Sequence, residues 1–422
     1  MKAQCKDSGR GGRTLGIAGT AVLLTLLAGC HDDDYYYGGP VISLPGYTPN
    51  SVAVADVNGD GIPDLLVATT VDNGQASNPG VASVYLGSSS SPGTYLKGVD
   101  YPTTGTNPSG IAVTDITGAG GKDMIVANFG NGNATIFMHD PANPGKFLAG
   151  VTLTTGGQPN QVVTADLNGD GRPDFVFADL SSSGNAIVVL QNSTTAGQFQ
   201  PPVDLSTGNL TTSVAVGDLN GDGKPDIVAA NYDSNGNNGQ VTIFFQSATT
   251  PGTFAAGVSF PAGAQPQSVK ILDVNGDGLP DLIVANQGPG SDGTGAPGVS
   301  ILLQDATHRG TFLAPITYST PSGAIDVAVG DLNGDGKPDL VVASLGPAPT
   351  GAVSVLLQSS TTAGTFGTAT SYPGYGQPLS VAIADLNGDG HPDIAVADAD
   401  TATVLLQIAA SPGTFNNPVV VN

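Results

Sequence analysis

The sequence predicts an all-β fold, a seven-bladed β-propeller of four-stranded antiparallel blades. Composition, a nine-residue motif in seven copies and a constant spacing around it support that prediction. Of 422 residues, 61 are Gly, 31 are Pro and none is Trp, and all 35 acidic residues are Asp. Glu is a good helix former, whereas Asp, Gly, Pro, Asn and Ser favour turns. An apolar fraction of 39%, rich in Val, Ile and Ala, argues for many short strands joined by turns. Low charge with recurring apolar runs argues against disorder.

The first element is a targeting segment, residues 1–29, set apart from the fold. Lys2, Lys6, Arg10 and Arg13 form a basic start, and residues 15–28 (LGIAGTAVLLTLLA) an apolar stretch too short for a comfortable membrane span. It ends in Leu27-Ala28-Gly29-Cys30, which resembles the lipobox of bacterial lipoproteins. The resemblance implies cleavage before Cys30 and its lipidation; the plainer alternative is an ordinary secretory signal. Residues 30–40 then read as a lipidated acidic tether (CHDDDYYYGGP), and residues 41–422 as the propeller. Cys5 leaves with the signal and Cys30 carries lipid, so no disulfide is expected. Asp32 does not directly follow the cysteine, which points to the outer membrane, on either of its sides. Removing the signal leaves 8 basic against 34 acidic residues, a net charge of −26. Such a charge opposes nucleic-acid or anionic-membrane binding and invites cations, leaving the lipid anchor as the expected membrane contact.

The repeats come next. DLNGDGKPD stands at 218–226 and again at 331–339, with near-copies at 56–64, 166–174, 273–281 and 385–393. A degraded copy, DITGAGGKD, occupies 115–123. Successive first Asp residues are 59, 51, 52, 55, 58 and 54 apart. Seven units of this length, each with several strand patterns, are the signature of a propeller or solenoid. The sixth unit predicts strands at 325–331, 339–344, 352–358 and around 366–372. A G-x-aromatic element recurs once per unit, at Tyr95, Phe147, Phe199, Phe254, Phe312, Phe366 and Phe415, and the next loop opens 19 or 20 residues later. Length variation therefore falls between the second and third strands. In a four-stranded blade the 1–2 and 3–4 loops share one face, and the 2–3 loops share the other with the connections between blades. The Asp loop is the 1–2 connection on the uniform face. The variable face is the expected binding surface, with Asp72, Phe129, Tyr232, Asp233 and Asp292 as candidates; slack, solvated linker is the alternative reading of those loops. Ring closure stays open, because PVISLPG (40–46) and FNNPVVV (415–421) both suit one outer-strand position.

The Asp loop is itself a candidate metal site. In the fourth unit, Asp218, Asn220 and Asp222 place oxygens at positions 1, 3 and 5, Lys224 offers a backbone carbonyl at position 7, and Asp226 closes the set at position 9. The same roles fall to Asp56, Asn58, Asp60, Ile62 and Asp64, and to Asp166, Asn168, Asp170, Arg172 and Asp174. They fall also to Asp273, Asn275, Asp277, Leu279 and Asp281, to Asp331, Asn333, Asp335, Lys337 and Asp339, and to Asp385, Asn387, Asp389, His391 and Asp393. An all-oxygen set with three carboxylates suits a hard cation of flexible coordination, hence about six Ca2+ sites. Position 12 is apolar (Val67, Ala229), which excludes an EF-hand. The alternative is that these are Asx-type turns and nothing more. The whole pattern resembles the FG-GAP (VCBS-type) repeats of integrin α-subunit propellers and bacterial surface proteins. That resemblance implies a calcium loop on the lower face and binding of partners on the upper one. The chain departs from the family pattern in having G-T-F where Phe-Gly names the family. It departs also in the second unit, where Thr117 and Ala119 replace the ligands at positions 3 and 5.

No G-x-S-x-G, P-loop or H-E-x-x-H motif is present. His31, His139, His308 and His391 have no second His or Cys at ligand or triad spacing. The favoured class is therefore a calcium-stabilised binding or adhesion module of the cell envelope, taking a protein or glycan and no nucleic acid. The alternatives are a polysaccharide lyase-like enzyme and a structural scaffold.

Overall fold

The computed structural model describes residues 41–43, 47–71, 79–232, 239–288, 296–346, 351–399 and 401–416. They form seven four-stranded sheets, antiparallel between all neighbours. Blade 1 runs through Tyr47–Ala55, Asp64–Val71, Val81–Tyr85 and Val99–Pro102. First strands of successive blades touch one another around the ring. Second and third strands are buried along their whole length in several blades, such as Asp174–Asp179 and Asn185–Val189, whereas fourth strands such as Val203–Ser206 are largely exposed. Strands covered on both sides read as continuous apolar runs, as these do.

Closure is by the N-terminal strand. Val41–Ser43 pairs with Thr401–Leu405 of blade 7, with Ile42 opposite Ala402, and supplies that blade's fourth strand. At the other end Phe415 makes a bridge to Gln407, and 417–422 lie outside the described residues. In the sixth unit the fourth strand starts later than expected, at Thr370–Tyr375. Phe366 instead forms an isolated bridge to Gln358, and the same bridge recurs in every blade.

The cores lie between blades. Each of seven clusters of buried side chains draws on two neighbouring blades; one joins Val52, Leu65 and Val67 of blade 1 to Leu386, Ala395 and Val404 of blade 7. The G-x-aromatic element belongs to these seams. Phe147 of blade 2 meets Tyr101 of blade 1 edge to face at 5.5 Å and donates its N–H to the Tyr101 hydroxyl. Phe415 and Tyr372 repeat both contacts between blades 7 and 6. Every first strand also slips register near its start, a β-bulge. Side chains there tie one first strand to the next: Gln161 accepts from Val214 N, Ser213 from Val269 N, and Asp326 from Val381 N.

Candidate metal centres

All seven Asp loops join first to second strands, as the spacing requires. The position-1 carboxylate organises each one. Asp218 accepts the N–H groups of Gly221 (2.7 Å), Asp222 (3.1 Å) and Gly223 (2.8 Å). Gly221 and Gly223 have φ of +77° and +82°, which few other residues adopt. Asn220 accepts from Asp222 N, and Asp222 from Lys224 N. The side chains of Lys224 and Lys337 turn away to the carbonyls of the 3–4 hairpin (Ser247, Ala248 and Ser359), leaving each loop its position-7 carbonyl.

Position 9 is different in kind. Asp64, Asp123, Asp174, Asp226, Asp281, Asp339 and Asp393 are all fully buried. Each takes one N–H from position 2 of its own loop and another from the residue just beyond the third strand. For Asp226 these are Leu219 at 3.0 Å and Gln246 at 2.8 Å. The carboxylate thus braces the 1–2 loop against the 3–4 hairpin. Burial pushes Asp64, Asp174, Asp281 and Asp393 up to about 6; the backbone donors oppose this, and the carboxylates at positions 5 and 1 add to it. Asp226 and Asp339 are raised for the same reasons.

A glutamine completes the brace in five blades, and the sequence reading missed it. Gln191, Gln246, Gln304, Gln358 and Gln407 donate to the carbonyl of the position-8 proline. They accept an N–H from the glycine of the next hairpin turn. The available signal is a Gln directly after the last apolar residue of the third strand in five of the seven units. In blade 2 the place is held by His139, whose Nδ1 lies 2.9 Å from Asp123. His139 is therefore a half-buried partner of a structural aspartate.

Blade 2 separates scaffold from ligand. Asp115 accepts from Gly118, Ala119 and Gly120, and Asp123 from Ile116 and His139, as in the other blades. The loop therefore folds with the Thr117 hydroxyl in place of the amide at position 3 and no side-chain oxygen at position 5, where Ala119 stands. Positions 1 and 9 build the turn, whereas the Asn and Asp at positions 3 and 5 add two exposed Asx bonds per loop. No three His, Cys, Asp or Glu side chains stand together as a ready-made metal cage among the described residues. The donor chemistry nonetheless fits a hard cation. Three carboxylates and an amide share nine residues, and the buried carboxylate is raised first by burial and then by its acidic neighbours, the second of which a cation would relieve.

The opposite face carries the 2–3 loops. Asp72, Asp233 and Asp292 lie outside the described residues. Tyr232 is buried at the end of its strand, in register with Leu210. Phe129 is half-buried, and its N–H donates to Asn107 O. Asn107 has a φ of +52°, unusual for a residue other than Gly.

Fold and loops together define a seven-bladed propeller whose blades each carry a structured Asp turn on one face. FG-GAP-like repeats match residues 115–177, 166–229, 220–284, 273–342 and 342–396, and an FG-GAP repeat matches 48–85. The chain belongs to the FG-GAP repeat family. No curated protein sequence matches it. Among solved structures it is similar to a 6-phosphogluconolactonase-like protein from Bacteroides uniformis ATCC 8492, at 15% identity and a TM-score of 0.58, covering 85% of this chain and 96% of that one. A protein from Lactobacillus plantarum gives 15% identity, a TM-score of 0.50 and coverage of 79% and 86%. An exotype rhamnogalacturonan lyase gives 15% identity, a TM-score of 0.48 and coverage of 87% and 74%. At these identities the likeness concerns the fold alone.

Proposed function

We propose that this chain is a calcium-stabilised binding module of the bacterial cell envelope, lipid-anchored through Cys30, that takes a protein or glycan on its variable face. The observation that supports the calcium part is blade 2. The turn needs positions 1 and 9, so the Asn and Asp at positions 3 and 5 of the other six loops answer to something else, and a cation is what their chemistry suits. Asp56, Asn58, Asp60 and Asp64, with the Ile62 carbonyl, would hold the first ion, and the equivalent residues the next five. The cation supplies positive charge to a loop that otherwise gathers three carboxylates; the chain supplies the rigid turn and the buried brace. If each site is filled to tenfold above its Kd, the six together contribute about 8 kcal/mol, standing in for the absent disulfides. Binding is assigned to the opposite face because loop length and composition vary there from blade to blade. The test is native mass spectrometry of the mature chain in calcium, expected to count six ions, with a glycan array and a surface pull-down run with and without calcium. No bound calcium would sink the metal reading. Degradation of a polysaccharide by the pure protein would replace the binding reading with an enzyme.

A further inference from the structure

The outer rim carries an apolar patch that neither the metal loops nor the variable face use. Leu96 and Val99 of blade 1 are 54% and 47% exposed, and Leu148 and Val151 of blade 2 are 49% and 61% exposed. They occupy matching places, one and four residues after the aromatic of each hairpin, and flank one seam, which Phe147 and Tyr101 hold together. Lys97 and Lys146 are exposed beside them. Asp100, the acidic neighbour, has its carboxylate engaged by Ser83 Oγ at 2.6 Å and Tyr47 Oη at 3.3 Å. Exposed apolar side chains grouped with lysines, on a protein this acidic, call for a partner.

Strand direction indicates which one. Second strands begin at the Asp loops and run away from the lower face, so third strands return to it and fourth strands start from it. Val99 and Val151 open fourth strands, which places the patch at the lower edge. Val41–Ser43 runs antiparallel to Thr401–Leu405 and so also leaves from the lower face, on blade 7, which abuts blade 1. Cys30 precedes Val41 by eleven residues (41 − 30), at most about 40 Å of extended chain. An anchor there would hold the lower edge of blades 7, 1 and 2 beside the lipid. Of the eight basic residues after Cys30, three (Lys97, Lys122 and Lys146) lie in blades 1 and 2.

We propose that the lower rim of blades 1 and 2, formed by Leu96, Val99, Leu148 and Val151 with Lys97 and Lys146, rests on the bilayer surface to which the N-terminal anchor ties the chain. The proposal rests on the reading of Cys30 as lipidated. Leucine and valine enter the headgroup boundary, and the lysines lay their stems along it with the ammonium groups in water. The consequence is an orientation: the Asp loops face the membrane and the variable loops face away from it, towards a partner. Of the two rim positions, the second is an exposed aliphatic in blades 3 and 4 as well (Val203, Val258), but the first is a large exposed apolar residue only in blades 1, 2 and 5 among the described residues. Blade 5, with Leu313, Ile316 and an exposed Arg309, is the internal control, because it lies on the far side of the ring from blade 1 and from the anchor.

The test uses the full chain, processed in cells and reconstituted into vesicles of zwitterionic phospholipid. A single cysteine introduced by Val151→Cys or Ile316→Cys carries an environment-sensitive fluorophore; Cys5 is gone and Cys30 is blocked. The 151 label is expected to shift to the blue and to be quenched by doxyl lipid, and the 316 label to do neither. Adding Leu96→Asp and Leu148→Asp, both at exposed sites, should return the 151 label to the behaviour of 316. Equal, water-like emission at both sites overturns the proposal. So does a 151 shift that follows protein concentration with a doubled mass, since a second copy would then cover the rim. The intact mass reports acylation separately: a chain without acyl groups overturns the proposal through its anchor, not its rim.

Discussion

The two kinds of aspartate in one loop separate under mutation. Asp226→Ala in blade 4 removes a carboxylate that accepts from Leu219 N and Gln246 N, both in fully or nearly fully buried residues. Hydrogen bonds to a charged group contribute roughly 1.5–3 kcal/mol each, and the stranded donors add to the loss. Regaining the energy spent on burying a charge offsets part of it, which leaves a cost of about 3–5 kcal/mol. Unfolding entropy near 2.1 cal/mol/K per residue over roughly 370 residues makes 1 kcal/mol about 1.3 °C, so the melting temperature should fall by about 4–6 °C already in EDTA, and further in calcium because Asp226 also closes the ligand set. Asp222→Ala deletes one exposed bond to Lys224 N. Without calcium its cost should stay near 0.5 kcal/mol, under 1 °C. In calcium at 100-fold excess over Kd it should forfeit about 2.7 kcal/mol more, or roughly 3–4 °C. Scanning calorimetry of both variants in EDTA and in millimolar calcium reads the contrast. If Asp222→Ala loses the same few tenths of a kcal/mol in both buffers, position 5 belongs to the turn and the calcium reading fails.

The degraded loop offers the converse: Thr117→Asn with Ala119→Asp should raise the calcium count by native mass spectrometry from six to seven, since Asp115 and Asp123 already hold the fold. Gly145→Ala should cost about 1–3 kcal/mol, read by urea unfolding, because φ is +77° and a Cβ would stand 3.0 Å from that of Asn58 in the neighbouring blade. Ile42→Pro should loosen the closing strand, which is three residues long and pairs with Thr401, Ala402 and Thr403. Hydrogen exchange should then quicken in Thr401–Leu405 before any other third strand; uniform protection across the seven would contradict closure by Val41–Ser43.

Much of this was readable because a repeated chain supplies its own comparisons. Seven copies fixed the blade count, and constant spacing after the third strand placed the Asp loops on one face. What escaped depended on partners far along the chain. Asp64 looks like one more ligand, since nothing nearby names Gly87, 23 residues on, as its second donor. The glutamines at 191, 246, 304, 358 and 407 sat inside the constant interval, but an isolated Gln carries no chemical label until its two backbone partners are seen. Phe366 reads as a strand residue and so sets the expected fourth strand of blade 6 too early, whereas its ring fills the seam against Tyr318 and its backbone makes a single bridge. Closure stayed open because two segments fitted one slot, and three residues of pairing are too few to decide from pattern.

The seams and the loops are one system. An added Cβ at the hairpin glycine of each blade would stand 2.9–3.7 Å from the Cβ of the position-3 Asn in the preceding loop: Gly93 on Asn387, Gly145 on Asn58, Gly252 on Asn168, Gly310 on Asn220, Gly364 on Asn275 and Gly413 on Asn333. Six asparagines meet six hairpins. At the seventh seam the preceding loop has Thr117, and Gly197 meets Met138 instead. A cation held by an asparagine would therefore fix the surface on which the next blade rests, and would stiffen the joint between blades more than the blade itself. The seven cores also lie at those joints. On this reading calcium and apolar packing act on the same six seams, and the seam between blades 2 and 3, with Phe175 and Phe177 in its core and a hydrogen bond from Ser109 Oγ to Pro159 O, holds without a cation.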